Sequence, residues 1–151
     1  MRTFTAAECR GWCAERGVEL TDRGVPVRVP NGYWHSTYSL PSKTSELLWF
    51  CRLVEDYMQP RSKCLLWITA WGIWPSSENL HLYYRLRETY GDRRLLEDAP
   101  GHLFLEHERT DLVSYLQLGI TFGWDMYVLA TGTERRVSRT TSLQSSALQI
   151  R

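Results

Sequence analysis

The sequence predicts an α+β (or α/β) fold, a single domain built on a mixed β-sheet. Three observations carry that expectation. The stretch CLLWITAW (64–71) is a nearly continuous apolar run of strand length, as expected for a strand covered on both faces. Amphipathic segments of helical period lie on either side of it. Short alternating stretches with turn residues stand near both ends and predict edge hairpins.

The first element is a helix with a marked start. Thr5-Ala6-Ala7-Glu8 spells a capping box, and Gly17 supplies a left-handed stop. VELTDRGVPVRVP then alternates about Thr21-Asp22-Arg23-Gly24 and predicts a hairpin. Pro26 and Pro30 place its second strand at an edge. YWHSTYSL is a further extended piece or a loop. Residues 43–59 form the clearest long helix, with Leu47, Phe50, Val54 and Tyr57 in period and Pro60 beyond its end.

After 64–71 comes a helix over roughly 77–90, stopped by Gly91, with Leu82, Tyr83, Leu86 and Tyr90 as its expected buried face. HLFLEH (102–107) reads as a strand. A helix from about Thr110 to Gly123 carries Leu112, Val113, Leu116 and Ile120 inward, and WDMYVLAT (124–131) reads as a strand. This β-α-β-α-β portion, with helices packed on the sheet, predicts that the strands at 64–71, 102–107 and 124–131 run parallel if they share a sheet. RRVSRTTSL alternates and adds an edge. Residues 1–144 are expected to form the domain, with 145–151 a loose polar tail.

A formal net charge of +1 is too small for a general nucleic-acid or membrane-surface steering field. The start MRTFTAAECRG lacks the apolar core of a secretory leader. No run approaches the ~20 apolar residues of a spanning helix. The expected compartment is the cytoplasm, with the four cysteines as thiols.

Motifs of catalysis are sparse. Cys9 and Cys13 share a helix face, but no second pair completes a zinc spacing. On a strand, His102 and Glu106 would face away from His107, so no metal site and no cofactor are expected. Gly-x-Ser-x-Gly, Ser-x-x-Lys and phosphate-cradling glycine loops are all missing. Arg85, Arg87, Arg93 and Arg94 make a local positive zone suited to an acidic partner.

The strongest feature is aromatic. Seven tryptophans in 151 residues exceed what a compact core requires, and several flank the bend at 71–78. Trp71, Trp74, Glu78, Asn79, Arg85, Trp124 and Asp125 are the expected partner-binding residues, since Trp, Tyr and Arg dominate interface hot spots. The expectation is a small cytoplasmic, non-catalytic module that binds another protein, in the manner of immunity or accessory proteins. One alternative is a small hydrolase with a carboxylate pocket near Trp71, Trp74 and Glu78. Another is nucleic-acid binding through Arg135, Arg136 and Arg139.

Overall fold

The computed structural model describes residues 1–27, 36–58, 63–71, 80–131, 136–142 and 145–150, with only the backbone described for 36–37 and 136–150. In chain order the elements are β1 (Arg2–Phe4), α1 (Ala6–Ala14), β2 (Ser36–Ser39), α2 (Thr44–Met58), β3 (Lys63–Ala70), α3 (Leu80–Glu88), β4 (Gly101–Leu105), α4 (Arg109–Thr121), β5 (Asp125–Ala130), β6 (Arg136–Ser142) and β7 (Ser145–Ile150). Helices and strands share one mixed α+β domain. Among the described residues the strands form one seven-stranded sheet, ordered β1-β4-β3-β5-β6-β7-β2.

Every neighbouring pair in that sheet is antiparallel. The expected parallel alignment of β3 with its neighbours is therefore corrected. Trp67 pairs with Gly101 and Lys63 with Leu105, so the chain between 71 and 100 returns to the end it left. The next connection, by contrast, is a crossover. Helix α4 carries the chain along the sheet, and β5 points the same way as β4 with β3 between them.

Strand β3 alternates strictly between two cores, as a strand's period of two requires. Leu65 and Trp67 face α1 and pack with Phe4, Cys9, Trp12, Cys13, Leu103, Tyr127 and Leu129. Cys64, Leu66 and Ile68 face α2, α3 and α4 and join the larger cluster. Gly101 permits the close seating of α1: a Cβ there would stand 2.2 Å from Cys9 Sγ and 2.9 Å from Phe4 Cβ.

Local signals were followed closely where the backbone itself decides. Thr5 and Glu8 make the reciprocal capping bonds of α1, at 3.2 Å and 2.8 Å. The three predicted stops, Gly17, Gly91 and Gly123, all have positive φ. Residues 19–27 double back as predicted, with Val27 N–H donating to the Glu19 carbonyl at 2.9 Å. That turn adds only the bridge Leu20 to Pro26.

Two elements differ from expectation. Arg2–Phe4 is a strand placed by β4, too short to show a pattern of its own. Ser145–Ile150, read as tail, lies between β6 and β2. The strand after Gly101 also ends early, because Glu106–Glu108 form a 3-10 turn.

Candidate functional site

Four of the seven expected binding residues are among the described ones. Trp74, Glu78 and Asn79 lie outside the described residues. Trp71 follows β3 and is half-buried against the larger core. Asp125 sits beside it, since it pairs in register with Ala70. Arg85 is exposed on α3. Trp124 is a core residue, 1 % exposed, and meets Tyr83 edge-to-face at 5.2 Å. It opens β5 beneath α3, so it turns inward rather than toward a partner.

The buried face of α3 is also rotated from the expected one. Leu82 is 42 % exposed, whereas Tyr83 and Arg87 are wholly buried. They are four residues apart and therefore neighbours on the helix. Arg87 Nη1 donates to the Tyr83 hydroxyl at 3.0 Å, and that hydroxyl lies 2.7 Å from His102 Nε2. The guanidinium only donates, so the tyrosine oxygen accepts from Arg87, and it shares a second hydrogen bond with His102 Nε2 whose direction follows the ring's tautomer. Burial first, then the Arg87 charge, pulls the His102 pKa down to about 3.

Arg87 Nη2 reaches Asp92 Oδ1 at 3.3 Å. Asp92 also accepts from the Thr3 hydroxyl, the Arg94 side chain and, at 2.8 Å, the Arg94 amide. These donors hold its carboxyl well below the usual range even though burial opposes them. One carboxylate thus serves two guanidiniums. Neither His102 nor Asp92 is poised to exchange a proton near neutrality. Burial lifts the Cys9, Cys51 and Cys64 thiols to about 12, so none is an activated nucleophile. Among the described residues no three His, Cys, Asp or Glu side chains are grouped to hold a metal ion. No described helix is long and apolar enough to cross a membrane.

A different surface stands out on α2. Trp49 is 62 % exposed, Leu53 42 % and Leu48 37 %. Trp49 and Leu53 are four apart, as are Leu48 and Arg52, so the four side chains form one outward stripe. Beside it lies a groove of about 380 Å³ between α2 and α4, lined by Leu48, Arg52, Glu55, Asp56, Arg109 and Val113. Arg109 is committed to Glu55 and to Asp56, the latter at 3.3 Å. Among the described residues Arg52 has no carboxylate partner. The signal for this surface was present in the sequence: Trp49 falls off the stripe Leu47, Phe50, Val54 and Tyr57. A large apolar residue off the inward stripe of a helix is either wasted or presented.

Compared with known protein families, curated proteins and solved structures, the chain matches none.

Proposed function

We propose that the protein is a non-catalytic module of the cytoplasm that binds another protein, and that α2 carries the docking face. The observation that carries this reading is the exposed indole of Trp49 with Leu53 and Leu48 beside it. Of the described tryptophans, Trp12, Trp67 and Trp124 are buried and Trp71 half-buried, so the aromatic surplus expected from composition falls on α2. Four buried free thiols suit a reducing compartment.

Charge defines the partner further. Arg52 is the cation of the stripe that lacks a carboxylate, and the groove next to it has apolar walls in Leu48 and Val113. The matching segment carries one aliphatic or aromatic side chain for the groove and one Asp or Glu for Arg52. Tryptophan and arginine anchors of this kind are the usual centres of binding energy.

The test is a site-specific photo-crosslink. A photoreactive residue at Leu53 in the full chain, expressed in its native host, is expected to trap one protein at stoichiometric yield. Trp49→Ala and Arg52→Glu are expected to abolish the crosslink without moving the thermal midpoint. A crosslink indifferent to both substitutions would remove α2 from the interface. A product consisting of two copies of this chain would replace the partner by self-association.

A further inference from the structure

We propose that the cleft between β1 and the 90–94 turn is an oxyanion site that takes a phosphate-bearing small molecule. The cleft measures about 560 Å³ and is lined by Arg2, Thr3, Glu8, Asp92, Arg93 and Arg94, among others. Its size is that of a small-ligand site, while its lining is polar and cationic rather than apolar. Of the positive zone read in the sequence, Arg93 and Arg94 line the cleft with Arg87 buried behind it, and Arg2 of β1 joins them. Arg85 is not part of the lining.

The charges are arranged in two layers. In the inner layer Asp92 is occupied by Arg94, by Thr3 and by the wholly buried Arg87. Two guanidiniums share that carboxylate, so a positive excess remains around Asp92, with Arg87 beneath the lining rather than in it. In the outer layer Arg2 pairs with Glu8 at 3.2 Å and Arg93 with Glu88 at 2.6 Å. The Arg2 and Arg93 side chains are 72 % and 82 % exposed. Exposed pairs of this kind hold little free energy. A ligand with more than one negative charge can draw both guanidiniums inward, leaving Glu88 to solvent and Glu8 to its capping bonds with Thr5.

Phosphate suits this arrangement better than a lone carboxylate. Its oxygens can accept from two guanidinium forks at once, and such charge-assisted bonds are the strong ones. Arg94 is held by Asp92 and Thr3 through Nε and Nη2, so its remaining Nη1 group is oriented without further ordering on binding.

The experiment titrates the full chain with inorganic pyrophosphate, with sodium chloride at matched ionic strength as the control. Pyrophosphate is expected to raise the thermal midpoint saturably, as any ligand of the folded state does, and chloride is not. Amide resonances of Gly91 to Arg94 are expected to shift along one binding curve. The double variant Arg2→Ala, Arg93→Ala removes only exposed side chains. It is expected to keep the unliganded midpoint and to lose roughly tenfold or more in affinity, two charge-assisted contacts being gone. Arg52→Ala, on α2, is expected to bind as the unmodified chain does. No saturable shift, a shift unchanged in the double variant, or resonance changes confined elsewhere would each overturn the site. Tighter binding of a glutamate-rich peptide than of pyrophosphate would also overturn it, in favour of an acidic chain.

Discussion

Helices α2 and α3 depart from the amphipathic rule in opposite directions. α2 turns an indole and two leucines to solvent, and α3 buries a guanidinium. Both are held on the same side of the sheet through the larger core. The difference teaches where to look for function and where for architecture. An exposed apolar stripe adds little to the stability of the monomer, and the docking face is proposed there. A buried charge must be matched from inside, and Arg87 is matched by Tyr83 and Asp92.

The largest test of that contrast is Asp92→Ala. It leaves Arg87 in the interior with no carboxylate and is expected to cost about 3–5 kcal/mol in chemical denaturation. Arg87→Met should cost distinctly less, because Asp92 keeps Arg94 and Thr3. The double variant should recover part of the Asp92→Ala loss. If Arg87→Met is the costlier of the two, the guanidinium acts through packing rather than charge.

His102 sets a second, pH-dependent effect. Folded, its ring faces Tyr83 and Tyr115, with Arg87 and Asp92 acting on it, and stays neutral down to about pH 3. Unfolded, it titrates near its ordinary value of about 6.5. The folded pKa is depressed, so this stability is complete above about pH 6.5 and is lost as pH falls toward 3, by up to roughly 1.4 kcal/mol per pH unit. Asp92, also depressed, acts in the same sense but below the usual carboxylate range. Denaturation midpoints measured between pH 7 and 4 should show the slope, and His102→Leu should flatten it.

Tyr83→Phe is a smaller cut in the same network. It strips Arg87 of an acceptor and His102 Nε2 of its hydrogen-bond partner, at an expected cost of about 1–3 kcal/mol. The smallest effect belongs to α2. Trp49→Ala should change stability by no more than about 0.5 kcal/mol, as exposed positions do. A cost near that of Asp92→Ala would make Trp49 structural and dissolve the contrast between the two helices.

How much of this was legible in the sequence follows the range of the forces. Capping at Thr5 and Glu8, the glycine stops and the period of 43–59 are local, and the sequence shows them directly. The apolar run at 64–71 correctly announced a strand covered on both sides. What escaped depends on contacts distant along the chain. Nothing in Arg2, Thr3 and Phe4 signals a strand until Gly101, His102 and Leu103 are set beside them. The inward turn of Arg87 is legible only once Asp92 and Tyr83 are known to meet it. In the sequence Trp124 belongs with the aromatic surplus although it begins its strand, and it is the edge-to-face contact with Tyr83 of α3 that marks it as core.

The sheet order carries a consequence for synthesis. Both margins of the sheet are closed by early residues meeting late ones: Arg2 lies opposite Leu103, and Ser36 opposite Ile150. Until the ribosome has made β4 and β7 respectively, β1 and β2 have no neighbour to pair with. The nascent first third must therefore wait as separate helices and unpaired extended segments. Closure of the β2 margin is postponed until translation has passed β7, a slow, long-range closure of the kind that leaves a growing chain dependent on protection from its neighbours.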